Sequence, residues 1–375
     1  MDDSSSGQFA GQSVWGFEPQ FAVCESCDWS FLLPPGTAAQ RCPHCYQAEL
    51  TLLPAQQPPD LATPELLLPF SLSSAALASQ VRSFTQGIPF PPPDLTPGNL
   101  EKRFQRVFLP VWLVDAEVQA SWEMEAGFNY EVVSHQDRYS QTQGGWASQE
   151  VKEERIRWEP RLGRLERAYQ NIPVPALDDY PRLQSRLGDF DTAAAQPFSP
   201  AAFASASLRL PQRSQQDAWP QALPTLQAAA ARDCQQACSA DHVRQFRWSP
   251  EFPRRNWTLL LLPVLTTYYL DDERGLQVVM LHGRSGVISG SRRASFKRAQ
   301  RTSLGFLLAA LVLFLLGLLL AGASIALPPL LALGGFALVA ALVLGLGAVI
   351  PPVVVWSFNR SQRRASPAVG GSGPK

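Results

Sequence analysis

The stretch CESCDWSFLLPPGTAAQRCPHC, residues 24–45, carries two Cys-x2-Cys pairs, Cys24 with Cys27 and Cys42 with Cys45. Each pair turns the chain tightly enough to present two thiolates to one ion, and the spacer returns the second pair opposite the first. This spacing is typical of a zinc ribbon in which four cysteines bind Zn²⁺. We therefore predict a zinc ribbon over residues 17–53.

The predicted ribbon is too short to bury an adequate core of its own. We expect Zn²⁺ binding to contribute on the order of 10 kcal/mol to its folding. Two disulfides in a secreted mini-domain are an alternative, but the chain begins Met1-Asp2-Asp3 and not with the basic and apolar run of a secretory signal. His44 could replace one ligand, although four thiolates already complete the shell.

Two apolar stretches near the C-terminus, 304–327 and 330–356, contain no charged residue. Each is long enough to cross the roughly 30 Å hydrocarbon core of a bilayer. Pro328 and Pro329 lie between them and disfavour a continuous helix. One helix of about 50 residues at about 1.5 Å per residue would also be far too long for a membrane. We therefore predict a transmembrane hairpin over residues 304–356.

Basic residues flank this hairpin on both sides, in a juxtamembrane segment at 291–303 and in a tail at 357–375 that we expect to be disordered. By the positive-inside rule, both termini of this multi-pass protein face the cytoplasm, and the membrane is the inner (plasma) membrane. A reducing cytosol keeps the cysteines available to a metal. The juxtamembrane cations act either as a topology signal alone or also as ligands of anionic lipid headgroups. They are Arg292, Arg293, Lys297, Arg298 and Arg301.

The formal net charge of zero conceals an asymmetry along the chain. Ten of the 32 basic residues lie from Arg284 onward, where there is no acidic residue, so residues 1–283 carry 22 basic against 32 acidic side chains. The predicted ribbon is itself acidic, and four thiolates around Zn²⁺ add negative charge. Such a body lacks the cations that neutralise phosphates, and we therefore do not expect nucleic acid as a partner.

The region between the ribbon and the membrane indicates an α+β fold class with two mixed α/β units. The first unit covers residues 65–160, and the second, which includes a helical region, covers 161–290. A linker at 54–64 connects them to the ribbon, and residues 1–16 are polar enough to be disordered.

In the first unit we expect a helix capped by Ser73 or Ser74 and a strand over 107–114. Gly127 and Asn129 then predict a turn into a further strand. In the second unit, an alanine-rich helix over 215–242 precedes a strand that ends in a turn at residue 271.

A short motif occurs in both units. Leu262-Pro263-Val264 repeats Leu109-Pro110-Val111, and in each unit a helix precedes the motif. A duplication of one ancestral unit would explain the repeat. Two matches of this length also arise by chance, so both explanations stay open.

A second metal site is conceivable at Cys234, Cys238 and His242. The three residues recur every four positions along the predicted alanine-rich helix and would share one face. Cysteines on helix faces are commonly small core residues instead, and no fourth ligand is near in sequence. The four histidines of the chain form no catalytic pattern with neighbouring residues, so we predict that the protein is not an enzyme.

Five segments of the chain form a recognisable set. They are the ribbon cysteines, Pro69-Phe70 and the helix after it, Leu109-Pro110-Val111-Trp112, the strand 262–269, and His282 to Gly286. Together they resemble bacterial zinc-ribbon membrane proteins whose ribbon is of the transcription-factor-IIB or primosomal-helicase type. The resemblance implies a membrane-stress assembly with phage-shock (PspA-like) and SPFH-domain proteins.

These features predict a non-enzymatic, membrane-anchored adaptor whose ribbon and α/β body dock cytosolic proteins at the inner membrane. The alternative is a membrane-tethered regulator that binds nucleic acid, which the acidic body disfavours. A transporter subunit is a third hypothesis, although the hairpin offers no ionisable residue for an ion path. Glycines in both apolar stretches are compatible with a homo-oligomer.

Overall fold

The computed structural model describes residues 20–37, 40–53, 63–140, 145–323, 325 and 328–365. These residues form an α+β fold built on a large sheet. The strands are β1 (Gln20–Val23), β2 (Ser30–Leu33), β3 (Thr51–Leu52), β4 (Leu66–Leu67), β5 (Gln105–Ser140), β6 (Gly145–Pro175), β7 (Gln196–Pro197), β8 (Ser207–Arg209), β9 (His242–Glu251), β10 (Arg255–Leu270), β11 (Leu276–His282) and β12 (Ile288–Gly290). The helices are α1 (Ser74–Thr85), α2 (Pro97–Lys102), α3 (Tyr180–Leu187), α4 (Pro200–Phe203), α5 (Gln215–Cys238), α6 (Phe296–Ala323), α7 (Leu330–Gly347) and α8 (Ile350–Ala365).

The main path of the sheet runs β12-β11-β10-β5-β8-β2-β1-β3, so ribbon and body strands belong to one sheet. Some predictions fall outside the described residues. These are the disordered segment at 1–16, most of the linker at 54–64, and the end of the tail from residue 366. The prediction of disorder is wrong for residues 357–365, which belong to α8, because no proline or glycine interrupts the helix after Pro352.

Strands β5 and β10 pair antiparallel at the centre of the sheet, from Gln105 opposite Thr266 to Ala116 opposite Arg255. Both faces of this pair are buried. Phe108 and Trp112 share a core cluster with residues of α5, whereas Val107 and Val111 share another with residues of α3. This explains the nearly continuous apolar run of β5, because a strand covered on both faces does not alternate with polar residues.

The two Leu-Pro-Val motifs lie side by side in this central pair, with Leu109 opposite Leu262 and Pro110 opposite Leu261. The predicted α/β units therefore contribute neighbouring strands to one sheet. The boundary predicted between residues 160 and 161 lies inside β6, which returns along β5 as far as Pro175.

The turn predicted at Gly127 and Asn129 is wrong, because β5 continues through both residues to Ser140 and pairs with β6. The glycine serves close packing instead. A Cβ at Gly127 would lie 2.8 Å from Ile156, 2.9 Å from Trp158 and 3.1 Å from His242. Tight neighbours of this kind explain a glycine inside a strand without a chain reversal.

Two helices follow their capping signals. Ser73 caps α1 through a hydrogen bond from the Ala76 N–H, as the sequence predicts. Ser214 caps α5 in the same way, but α5 ends at Cys238 because Ser239 adopts a left-handed conformation with φ of 53°. The prediction that this helix continues to residue 242 is wrong, and His242 begins β9.

The apolar C-terminal segment forms α6 and then a second apolar stretch, Leu330–Arg364, that comprises α7 and α8. By length and composition both could cross a membrane. Helices α6 and α7 pack closely at two glycines, since a Cβ at Gly334 would lie only 3.0 Å from the Gly317 carbonyl oxygen. Small residues of this kind allow the backbones to approach.

A small core joins the apolar helices to the sheet. Val355 of α8 and Ala299 of α6 share a buried cluster with Val81, Phe84 and Tyr269. The Asn359 side chain accepts a hydrogen bond from the Ala294 N–H at 2.8 Å and donates one to the Ala294 carbonyl at 3.0 Å. The helices are therefore fixed to the body by packing and by hydrogen bonds. We call this region the base.

An ion pair between Asp94 and Arg103 connects the base to the sheet. Asp94 accepts hydrogen bonds from both terminal nitrogens of Arg103, at 2.6 and 2.9 Å, and from the Leu270 N–H at 2.8 Å. These bonds to the ionised form, those from Arg103 first, lower the pKa of the Asp94 carboxyl. The pair therefore ties the start of β5 to the end of β10.

We expect Asp94→Asn to lower the free energy of unfolding by about 1 to 3 kcal/mol at neutral pH, because charge-assisted bonds to Arg103 are lost. A carboxyl whose folded pKa is depressed stabilises above its unfolded pKa of 3.8 and loses that contribution as pH falls through the folded pKa. We therefore expect the free energies of unfolding of the wild type and of Asp94→Asn, measured in detergent from neutral to acidic pH, to become equal in acid. Glu101→Gln, on an exposed face of α2, is the control, and an equal loss there would contradict the assignment.

Candidate metal centre

The four ribbon cysteines meet at one point. Cys24 and Cys27 lie between β1 and β2, and Cys42 and Cys45 follow the loop after β2. The Sγ atoms of Cys24 and Cys45 are 3.5 Å apart, those of Cys27 and Cys42 are 3.7 Å apart, and all four lie within 4.8 Å of one another. A tetrahedral ion with metal–sulfur bonds of about 2.3 Å requires sulfur–sulfur distances of roughly 3.8 Å, so the group could hold a metal ion.

The two Cys-x2-Cys turns have the same backbone design. The Asp28 N–H donates to the Cys24 carbonyl at 2.8 Å, and the Tyr46 N–H donates to the Cys42 carbonyl at 3.0 Å. Asp28 and Tyr46 each follow the second cysteine of their pair, with left-handed φ of 57° and 55°. Asp tolerates this conformation well, but a bulky Tyr does so only when its surroundings hold it there.

Tyr46 is held by the body of the protein. Its ring is almost fully buried, and its hydroxyl shares a 2.7 Å hydrogen bond with the Thr266 hydroxyl of β10. The ring also lies 4.7 Å from that of Tyr268, centre to centre. The strained residue of the second turn is therefore fixed by the central strand pair.

The thiols differ in acidity before any metal binds. The pKa of Cys42 is lowered to about 5, first because its thiolate accepts a hydrogen bond from Cys27 and then because of backbone N–H groups of Cys45 and His44. Its donor Cys27 has a raised pKa, and burial raises that of Cys24. A metal ion must displace the protons of the remaining thiols, so its affinity should rise with pH.

The ribbon is part of the body's sheet. Strand β2 pairs antiparallel with β8, with Phe31 opposite Arg209 and Leu32 opposite Leu208. On the other side of the ribbon, the Gln105 side-chain amide donates to the Arg41 carbonyl at 3.2 Å. The sequence predicts a separate head on a linker, and these contacts instead give the metal centre a fixed position.

A buried cation lies at this junction. Arg209 is 2% exposed, its guanidinium lies 3.0 Å from the centre of the Trp29 ring, and it pairs with Asp179 at 2.8 Å. His44 stacks on Trp29 with ring centres 3.2 Å apart. Burial first, and then the charge of Arg209, lower the pKa of His44 to about 3, so the imidazole is neutral.

His44 is not part of the cysteine group that could hold a metal. Its ring stacks on Trp29, which also belongs to the ribbon, and the other contact of the Trp29 ring, with Arg209, joins the ribbon to the body. Sequence reasoning missed Trp29, Arg209, Tyr46 and Thr266. The one available signal was an arginine inside the apolar segment Leu208-Arg209-Leu210, since a cation there must find a partner.

Cys234, Cys238 and His242 do not form a second centre. Among the residues that the structure describes, only the four ribbon cysteines form a group of ligands able to hold a metal. Cys234 packs with Met124 and Ala126, and burial raises its pKa to about 11. The His242 ring is engaged in a 2.9 Å hydrogen bond with Asn129.

The juxtamembrane cations divide into two groups. Arg292 donates to the Gln86 carbonyl, Arg293 pairs with Asp271 at 3.2 Å, and Lys297 donates to the Asp272 carbonyl. These three hold the base together. Arg298 and Arg301 are exposed on α6.

No protein-family model, curated protein or solved structure matches the chain. The resemblance to bacterial zinc-ribbon membrane proteins therefore remains a prediction.

We expect Cys42→Ser to abolish metal binding, because the four-cysteine group loses one ligand, the thiol whose pKa is lowered. Metal content of the purified full chain, measured by inductively coupled plasma mass spectrometry, should fall from one ion per chain to less than about a tenth of that. Cys234→Ser is the matched control and should keep its metal. Equal metal content in the Cys42 variant would contradict the centre.

We expect Asp179→Asn to destabilise the protein by about 3 to 5 kcal/mol, because it leaves the buried Arg209 charge without its partner. Its neighbour gives a matched control, since Asp178 is 62% exposed and pairs with Arg213 at 2.6 Å. Asp178→Asn should cost less than about 1 kcal/mol. Thermal unfolding of both variants tests this. An equal loss of stability in the two variants would show that the buried pair contributes no more than the exposed one.

Proposed function

We propose that the protein is a non-enzymatic adaptor that is anchored in the inner membrane and docks cytosolic proteins there. Its partners are SPFH-domain or phage-shock PspA-like proteins of a membrane-stress assembly, as the sequence resemblance implies. The observation that carries the proposal is a long two-stranded arm that extends beyond the rest of the sheet, with no third strand beside it in the part of the chain that the structure describes.

The arm is the outer part of the β5–β6 hairpin. Strand β9 pairs with β5 only as far as Gly127, and within the described residues no third strand accompanies the hairpin beyond that point. Residues 130–140 and 145–155 continue as a strand pair for roughly 35 Å at about 3.3 Å per residue. We call these residues the arm.

An isolated two-stranded hairpin is marginally stable in water. The arm nevertheless exposes Tyr130 and Val133, at 46% and 47%, together with the backbone groups of two free edges. Apolar side chains on an unpaired strand are a common template for association with another protein. These features support a docking role.

The C-terminal helices support membrane anchoring. In the most apolar 18 residues of each of the two helical stretches, Phe296–Ala323 and Leu330–Arg364, only 11% and 22% are buried. The rest of their apolar surface is not covered by other parts of the protein that the structure describes. A bilayer would supply that cover, and a transmembrane hairpin with both termini in the cytoplasm follows from the basic flanks. The base would then lie at the membrane surface.

The donor set supports zinc as the metal. Four cysteine thiolates are soft ligands, and a closed tetrahedral shell is typical of structural Zn²⁺. In this role Zn²⁺ stabilises the two Cys-x2-Cys turns and thereby strand β2, which lies between β1 and β8 in the sheet. The ion would keep no open position for a substrate.

The proposal of a non-enzymatic role rests on the sequence, in which the four histidines form no catalytic pattern. Three of them make contacts within the protein. His44 stacks on Trp29, and His242 is hydrogen-bonded to Asn129. The Nδ1 atom of His282 accepts from the Arg284 and Ser285 N–H groups, at 3.1 Å each.

Replacing residues 131–154 by Asn-Gly tests the docking role, because Tyr130 and Arg155 are directly paired and a two-residue turn can join them. Membrane insertion and metal content should be unchanged. Cross-linking mass spectrometry in native membranes should lose the SPFH-domain or PspA-like proteins recovered with the full chain.

Leu162→Ser is the matched control, because this side chain is 86% exposed on the same hairpin next to the sheet. It should retain the partner set. Recovery of the same partners by the shortened arm would refute the docking role, and salt-sensitive retention of DNA by the full chain would favour the nucleic-acid regulator.

A further inference from the structure

A cleft of about 920 Å³ opens between the base and the body. Its walls come from helix α3, the turn between β10 and β11, strands β11 and β12 with the segment that follows, the start of α6, the end of α8 and His44 of the ribbon. Its volume is at the upper end of the range for small-molecule sites. Because α6 and α8 enter the apolar segment from here, the cleft lies at the polar end of the proposed membrane anchor.

Two of the acidic side chains in the cleft are already engaged by contacts within the protein. Asp271 accepts from the backbone N–H groups of Glu273 and Gly275 and pairs with Arg293. Asp272 accepts from the Ser295 hydroxyl at 2.6 Å and from the Lys297 N–H at 3.0 Å. Both acids are therefore occupied in holding the turn and the first turn of α6.

Two arginines in the cleft are free for a ligand. Arg186 of α3 and Arg363 of α8 line it, both are exposed, and neither has an acidic partner within 4.0 Å among the described residues. A third lining residue, Arg292, has a buried Nε–H without a hydrogen-bond partner. Glu273 is the remaining acid of the wall, so cations predominate.

We propose that this cleft binds the phosphate-bearing headgroup of an anionic glycerophospholipid, with Arg186 and Arg363 as the ligands of the phosphate. A guanidinium presents a planar fork of donors that matches phosphate oxygens. A membrane lipid is favoured over a soluble phosphate ester because α6 and α8 form one wall, so the acyl chains can follow the helices into the bilayer. The proposal rests on the membrane anchoring proposed above.

The site differs from a general attraction of the basic flank to the membrane. Arg186 is a body residue, more than a hundred positions before α6, and Arg363 lies in the last turn of α8. A headgroup held by both would join the body to the anchor. Zwitterionic lipids should bind more weakly, because their ammonium group meets a wall in which cations predominate.

The test uses the purified full chain in detergent, titrated with short-chain phosphatidylglycerol or short-chain phosphatidylcholine, with binding followed by microscale thermophoresis. The double variant Arg186→Gln, Arg363→Gln should weaken phosphatidylglycerol binding about tenfold or more and remove the preference over phosphatidylcholine. The matched control is Arg182→Gln with Arg364→Gln, on the same two helices but outside the cleft, and it should bind like the wild type.

Three results would overturn the site. One is unchanged phosphatidylglycerol binding by the double variant. Another is loss of the preference in Arg298→Gln, Arg301→Gln, which would assign it to exposed α6 cations. The third is equal binding of glycerol phosphate without acyl chains, which would identify a soluble ligand. Carbonate extraction of each variant from membranes separates these results from a failure of anchoring, which would release every variant, the wild type included.

Discussion

The antiparallel pairing of β5 with β10 is the constraint on which the other parts depend. It runs from Gln105 opposite Thr266 to Ala116 opposite Arg255, and both of its faces are buried. A slip of one residue would exchange the side chains that face α5 with those that face α3. The ribbon attaches to this pair through β8, the base through the end of β10, and the arm is the continuation of β5. One register therefore positions all three.

Charged groups contribute to the stability of the fold where they are largely buried and make short contacts with one partner. Arg209 and Asp94 each sit at a junction, the first between ribbon and body and the second within the base, and each has a short partner contact. Along the hairpin, pairs such as Lys152 with Glu131 are about two-thirds exposed on both sides and contribute little to stability. Their effect is solubility of a long strand pair and a lower tendency of its edges to associate indiscriminately.

Local signals were sufficient for part of the fold. Cysteine spacing predicted the cluster, Ser73 predicted the start of α1, and the acidic turn beginning at Asp271 predicted the reversal after β10, because each signal acts within a few residues. The position of the ribbon was not predictable, since it depends on Phe31 pairing with Arg209 far along the chain. The arm was missed because Gly127 was interpreted as a turn residue, whereas it makes room for Trp158 and Ile156.

A fixed ribbon and a fixed base have a consequence for the proposed adaptor. A head on a flexible tether would search a large volume, and its effective concentration near any one partner would fall as the tether lengthened. Here β5 begins beside the Asp94–Arg103 pair of the base and runs without interruption into the arm. The point at which the arm leaves the sheet therefore has a fixed position relative to the proposed anchor. If the partners assemble in an ordered array on the membrane, the arm and the partners lose little orientational freedom when they bind. The entropic cost of binding is then lower.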